Sequence, residues 1–177
     1  MTNCVEFPIL YHALTVLGAI LSPAAPTSTA TELGQQLIAC NASFVVTHRT
    51  VASAKEAAAT LGIASDHCSS VGSSTMQSFS VLQDLDNIHI PQVSIDLVND
   101  VNYLPFSRGT TGLPKGVKLS FWNLVVNIQQ LASMETYSSP LVMVLPYYHM
   151  YGALLMKNTP LICQPQIVLP KFDLATF

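Results

Sequence analysis

The chain has 177 residues and a net charge of −3; half of its residues are hydrophobic and only 10% are charged, whereas about 25% is usual for a free-standing soluble domain. Either much of its surface is covered, or the chain is part of a larger folded body. Its four cysteines form no CxxC pair, which argues against a disulfide framework or a zinc site and favours buried thiols in a reducing compartment.

The first hundred residues alternate helices with one clear strand. Apolar residues at helical spacing predict the helices, and a run of β-branched residues predicts the strand. The first helix is expected to be buried, since it falls short of the roughly 20 apolar residues of a membrane span and no signal-peptide pattern precedes it. In chain order, the predicted elements are a helix over 7–21, a helix over 31–39, a strand over 42–47, a helix over 51–61, a loop over the serine-rich residues 64–80, and a strand or irregular edge over 93–97.

The remaining residues continue this alternation. Strands that alternate with helices indicate a layered α/β fold whose sheets are largely parallel and flanked by helices. The predicted elements are a strand over 102–106, a strand over 116–119, a helix over 121–134 capped by Ser120, a strand over 141–146, a strand over 166–169, and the first turn of a helix over 171–177.

A glycine-rich loop lies between two of the predicted strands. The segment FSRGTTGLPKGV (106–117) gathers three of the chain's eight glycines with hydroxyl side chains and cations. Free backbone N–H groups, hydroxyl donors and a lysine are the groups that hold a phosphate chain. The segment is not a Walker A motif, because a glycine follows Lys115, and no GxGxxG marks a Rossmann fingerprint.

The charges are distributed unevenly along the chain. Residues 1–107 carry two basic and eight acidic side chains, whereas residues 108–177 carry five basic and two acidic ones. The cations therefore accompany the glycine-rich loop in the sequence, which favours an anionic ligand.

Three sequence blocks together resemble one family. SRGTTGLPKGV resembles the phosphate-loop signature of the adenylate-forming (AMP-binding) acyl-CoA synthetases, most closely that of the 4-coumarate–CoA ligase and luciferase-like branch. LPYYHMYG (145–152) and LPKFDL (169–174) resemble that family's acyl-pocket and CoA-contacting segments. The resemblance implies part of a large N-terminal AMP-binding domain, incomplete at both ends. Its expected organisation is a partial domain over 1–177, with a first α/β portion over 1–100 and a phosphate-loop and acyl-pocket portion over 101–177.

The resemblance implies a role for each matching side chain. Lys115 and His149 are expected to act in catalysis, Tyr151 to contact the acyl-adenylate and Lys171 to contact CoA. No residue is assigned to a metal ion. The residues expected to bind the ATP phosphates are Ser107, Arg108, Gly109, Thr110, Thr111, Gly112 and Lys115.

The implied reaction is that of an ATP-dependent carboxylate–CoA ligase. A small carboxylic acid attacks ATP with the help of Mg²⁺, forming an acyl-adenylate and pyrophosphate. The CoA thiol then displaces AMP, and an acyl-CoA thioester results.

The sequence also departs from the family pattern. Arg108 stands where the family normally has a small residue, and its guanidinium can either bind phosphate bidentately or fill the space of the nucleotide. The chain ends at Phe177, ahead of the family's Mg²⁺-binding acid, ribose-binding aspartate and C-terminal lysine. We therefore expect the isolated chain to be inactive and to need the remainder of a ligase chain as its partner.

Two other functions fit parts of the sequence. A catalytically dead remnant that binds a nucleotide or a protein partner would also tolerate Arg108. A KH-type RNA-binding loop would share the GTTG sequence of residues 109–112, but the acidic net charge and the lack of a basic face argue against nucleic acid. With no targeting signal and no membrane span in the sequence, an intracellular location, cytoplasmic or peroxisomal, is expected.

Overall fold

The computed structural model describes residues 1–48, 51–72, 77–78, 89–107, 114–134 and 139–173. The helices in these residues are α1 Glu6–Val16, α2 Ala30–Ala39, α3 Ala52–Thr60, α4 Phe121–Met134 and α5 Met150–Leu161. The strands are β1 Val45–His48, β2 Cys68–Val71, β3 Gln77–Ser78, β4 Val101–Tyr103, β5 Phe106–Ser107, β6 Lys115–Gly116, β7 Leu119–Ser120, β8 Leu141–Met143 and β9 Gln166–Val168. The predicted α/β class is confirmed.

The chain divides into two compact units. The first consists of Ala24–Gln92 and Phe106–Gly116 together with Met1, and the second of Thr2–Pro23, Val93–Pro105 and Val117–Phe177. The predicted portions, residues 1–100 and 101–177, are defined by the sequence motifs that they contain, and this division stays a prediction.

The first unit contains a parallel sheet with the strand order β1-β2-β3. Val45 lies opposite Cys68, and Ser69 opposite Gln77. Parallel neighbours need a crossover connection, and the predicted helix α3 lies between β1 and β2 in the chain. Alanines fill the buried positions of α3. The buried residues of this core are Leu33, Val45, Val51, Ala54, Ala57, Ala58 and Cys68.

Helix α2 begins at a capping box. The Glu32 N–H donates to the Thr29 hydroxyl at 3.2 Å, and the Glu32 carboxylate accepts from the Thr29 N–H at 2.8 Å. The two side chains thereby accept hydrogen bonds from backbone N–H groups that have no acceptor within the helix. The predicted helix is confirmed, and it starts one residue earlier than the sequence indicates.

The prediction of a loop over 64–80 is wrong. Ser65–His67 form a 3-10 turn, and β2 and β3 follow it in the same stretch. All four residues of β2 are buried, including Ser69 and Ser70 at 6% and 0% exposure. A buried strand with serines in its centre shows no apolar run, so the usual signal for a strand is missing.

In the second unit, α1 is tied to β4 by a chain of hydrogen bonds. The Tyr11 hydroxyl donates to Asn102 Oδ1 at 2.7 Å, and Asn102 Nδ2 donates to Thr15 Oγ1 at 3.2 Å. The helix ends at Val16, well before the predicted limit, and Gly18 follows with a φ of +66°. It is buried through Phe7 and Tyr11 on one side only, because Ile9 and Val16 are about half exposed.

The shorter sheets of the chain are two-stranded. β8 pairs with β9 in parallel, with Leu141 opposite Gln166. β4 pairs with β7 antiparallel, and β5 with β6 antiparallel. Residues 93–97 form no strand, and the predicted C-terminal turn lies largely outside the described residues. No helix in the described ranges combines the length and apolar character of a membrane span.

Helix α5 has no counterpart among the predicted elements. Seven of its twelve residues are buried, and a helix buried on most sides lacks the apolar stripe that periodicity detects. Pro160 in its last turn has no N–H for the carbonyl four residues earlier. That carbonyl, of Met156, accepts instead from Thr159 Oγ1 at 3.3 Å and Gln166 Nε2 at 3.4 Å.

Candidate functional site

A short hairpin brings the two ends of the glycine-rich loop together. Antiparallel pairing of β5 with β6 sets Ser107 opposite Lys115. The Ser107 hydroxyl lies 3.5 Å from the Lys115 carbonyl oxygen, to which it donates. Both residues are exposed, so the hydroxyl and the ammonium group at the two ends of the predicted phosphate-binding loop are open to a ligand.

The other residues predicted to bind ATP phosphates lie within the same loop. Arg108, Gly109, Thr110, Thr111 and Gly112 fall outside the described residues. Their roles, like those of Ser107 and Lys115, stay predictions.

The start of α5 carries both residues of the predicted acyl pocket. His149 is the N-cap residue, with φ −85° and ψ 143°, and its carbonyl accepts from the Ala153 N–H at 2.8 Å. The His149 imidazole makes no capping hydrogen bond. It is exposed, as is Tyr151 at 51%. The positive end of a helix dipole favours negative charge at this position.

Two buried side chains fix the backbone that leads into His149. Asn3 donates to the Leu145 carbonyl at 2.9 Å and accepts from the Tyr147 N–H at 2.7 Å. Tyr147 is fully buried, with its ring centroid 5.8 Å from that of Phe7, and its hydroxyl donates to Gln166 Oε1 at 2.7 Å. Burial raises the pKa of Tyr147 to about 12, so the phenol remains a donor at neutral pH.

Gly152 allows the first turn of α5 to approach the preceding backbone. A Cβ atom at this position would lie 2.2 Å from the Pro146 carbonyl oxygen and 2.8 Å from its carbon. Sequence reasoning missed this residue, together with Asn3 and Gln166. The signal for Gly152 was present, because it closes the block LPYYHMYG, whereas the two amides belong to no motif.

Lys171 lies three residues beyond β9 and is exposed. A lysine in such a position is free of the core, and its assignment to CoA stays a prediction.

Cys4, near the start of α1, has a pKa raised to about 11 by burial and by the neighbouring Glu6, so its thiol is protonated at neutral pH and is no nucleophile.

The class of protein follows from comparison with known families. The family model described as AMP-binding enzyme matches residues 1–176. The chain belongs to this AMP-binding enzyme family, as the motif blocks predict.

The curated relatives are 4-coumarate–CoA ligases. 4-Coumarate–CoA ligase 5 of Oryza sativa subsp. japonica is 36% identical over 159 residues, which are 86% of this chain and 29% of the relative. 4-Coumarate–CoA ligase 2 of Solanum tuberosum is 33% identical over 188 residues, covering 100% of this chain and 34% of the relative. The chain thus spans about a third of the length of the relatives it matches.

Solved structures agree on the fold. A long-chain-fatty-acid–CoA ligase (FadD1) from Archaeoglobus fulgidus matches with a TM-score of 0.86 and 24% identity, over 97% of this chain and 34% of that one. The N-terminal domain of FACL13 from Mycobacterium tuberculosis matches with a TM-score of 0.80 and 22% identity, over 98% and 43%. At these identities the likeness establishes the fold alone.

Replacing Gly152 by alanine tests whether this close approach positions the start of α5. Gly152→Ala should lower the free energy of unfolding by about 1–3 kcal/mol, because the new methyl group meets backbone atoms that cannot rotate away. Urea denaturation would measure the change. Gly34→Ala is the matched control, since a Cβ there meets nothing within 4 Å, and this variant should be neutral or slightly more stable. Equal stability of the two variants would contradict the prediction.

Proposed function

We propose that this chain is the phosphate-loop and acyl-pocket portion of an ATP-dependent carboxylate–CoA ligase. The observation that carries the proposal is the hairpin that sets Ser107 beside Lys115 in an AMP-binding family member. ATP, a carboxylic acid and CoA are the proposed substrates. The relatives' names specify 4-coumarate as an acid of this class.

The donor groups of the loop match the negative charge that develops in the first step of the reaction. When a carboxylate attacks the α-phosphorus of ATP, the bond to pyrophosphate breaks and negative charge accumulates on the departing phosphates. Preorganised donors placed at that charge stabilise the transition state more than the ground state. Lys115 supplies a cation and Ser107 a hydroxyl at the base of the loop, and Thr110 and Thr111 are proposed to add two hydroxyls.

The second step explains why the acid is activated through AMP. A free carboxylate has no good leaving group, whereas AMP departs readily when the CoA thiol attacks the acyl carbon. We assign His149 and Tyr151 to the acyl-adenylate and Lys171 to CoA. An imidazole and a phenol that are exposed at a helix N-terminus can contact the carboxylate and its adenylate without first being freed from the core.

The family's Mg²⁺ would neutralise charge on the ATP phosphates. In the part of the chain that the structure describes, no three His, Cys, Asp or Glu side chains lie close enough to share a metal ion. We assign no residue of this chain to Mg²⁺.

Lys115→Ala tests the phosphate-loop assignment. Loss of a charge-assisted hydrogen bond to phosphate should weaken ATP binding by about 10-fold to 100-fold, as measured by titration calorimetry. Lys118→Ala is the matched control, because Lys118 is also exposed and lies outside the motif. An unchanged dissociation constant for Lys115→Ala, or an equal loss in both variants, would contradict the assignment.

Arg108→Ser tests whether the guanidinium occupies space that the nucleotide needs. We expect the variant to bind ATP more tightly, because serine restores the small hydroxyl residue usual in the family's loop. Arg49→Ser, which removes a guanidinium from a different part of the chain, should leave ATP binding unchanged. Equal or weaker binding by Arg108→Ser would show that Arg108 contributes to the affinity instead.

A catalytically dead nucleotide- or partner-binding remnant is the alternative, and Arg108 is the residue that favours it. The 177 residues alone are proposed not to form an acyl-adenylate, so ATP–pyrophosphate exchange should stay at background; robust exchange would overturn this. An antibody against residues 101–120 separates the two functions in the source tissue. A native polypeptide several times heavier than 19.1 kDa supports the ligase, and one of 19.1 kDa supports the remnant.

A further inference from the structure

A lysine lies in the interior of the second unit, where its ammonium group contacts aromatic rings. Lys157, on α5, is 1% exposed, and its Nζ atom has no hydrogen-bond partner among the described residues. Buried ammonium groups are normally paired with a carboxylate or neutralised by loss of the proton. This lysine belongs to none of the motif blocks and takes no part in the proposed reaction.

The surroundings of Lys157 are aromatic. Nζ lies 3.3 Å from the centroid of the Tyr103 ring and 4.4 Å from that of the Tyr11 ring. The ring faces attract a cation, but they leave its three N–H groups without conventional acceptors. Burial raises the pKa of both tyrosines, so neither phenol supplies a compensating negative charge.

His12 is a further titratable group, and it is close enough to this lysine to feel its charge. It lies on α1 next to Tyr11, whose ring centroid is 5.2 Å from that of the imidazole. The His12 Nε2 atom is buried, and no atom in the described part of the chain forms a hydrogen bond with it. Among the described residues, Tyr11 and His12 on α1 and Tyr103 on β4 are thus titratable groups near Lys157, and none of them carries a negative charge at neutral pH.

Protonation would place two like charges in this interior. Burial lowers the pKa of Lys157 to about 7. Burial, followed by the charge of Lys157, lowers the pKa of His12. The folded arrangement therefore favours the neutral form of each group, and acid converts both into cations that lack a counter-ion.

We propose that His12 and Lys157 form an acid-sensitive joint between α1 and α5, which is closed when both side chains are neutral and loosens when they are protonated. The joint is independent of the proposed ligase function. Because α5 begins directly after His149, loosening at Lys157 would change the order of the segment that carries His149 and Tyr151.

The sign of the pH dependence follows from proton binding. Between about pH 7 and the ordinary lysine pKa near 10.4, the opened state binds one proton more than the closed state. Opening should therefore become about tenfold less favourable for each unit of rising pH. Below pH 7 the contribution of Lys157 to the free energy of opening no longer changes with pH. Protonation of His12 then makes opening more favourable as the pH falls below the ordinary histidine pKa near 6.5.

Hydrogen exchange of the α5 amides in the 177-residue chain would test the joint. After correction for intrinsic exchange, protection factors should rise about tenfold per pH unit from pH 7.5 to 9.5. Lys157→Met should abolish this slope. His12→Gln should keep the slope, but its protection factors should not fall further below about pH 6.5, as those of the wild type should. The exposed-lysine variant Lys118→Met should behave as the wild type. A slope that persists in Lys157→Met would overturn the proposal.

A direct titration covers the case in which the methionine variant does not fold. The ¹³Cε chemical shifts of the five lysines report each protonation state in the wild-type chain. The Lys157 resonance should titrate with a midpoint of about 7, well below the ordinary lysine pKa near 10.4. A Lys157 midpoint in the ordinary range would overturn the joint whatever the variants do.

Discussion

The position of His149 depends on one buried side-chain amide, that of Asn3. The backbone between β8 and α5 belongs to no strand or helix, and its polar groups must find partners where they are buried. An asparagine amide offers donors and an acceptor together. Asn3 uses both, donating to the carbonyls of Leu145 and, at 3.5 Å, Met143, and accepting from the N–H of Tyr147.

This arrangement connects remote parts of the sequence. More than 140 residues separate Asn3 from the backbone that it holds, so the hydrogen bonds of the segment before α5 require the start of the chain. Gln166 acts in a similar way from β9, since it accepts from Tyr147 and donates to the last turns of α5. The second unit thus holds the backbone before α5 with two amides, those of Asn3 and Gln166, that belong to none of the motif blocks.

The sequence predicted most of what depends on local signals. α2, α3 and α4 were predicted from periodicity and caps, and the family was evident from three short blocks. α5 was missed because burial on most sides removes its apolar stripe, and β2 because Ser69 and Ser70 interrupt the apolar run. The contacts of Asn3 and the close approach at Gly152 could not be predicted, since both depend on three-dimensional neighbours that no local pattern encodes.

The first turn of α4 has a consequence for spectroscopy. Trp122 is the only tryptophan of the chain, and its backbone N–H donates to the Leu97 carbonyl at 2.7 Å while the residue remains 51% exposed. The neighbouring Phe121 is buried. Trp122 therefore combines an anchored backbone with a side chain that is partly exposed to solvent. Intrinsic fluorescence excited selectively in the indole therefore arises from one defined spot, and its emission wavelength reports the polarity of that surface alone.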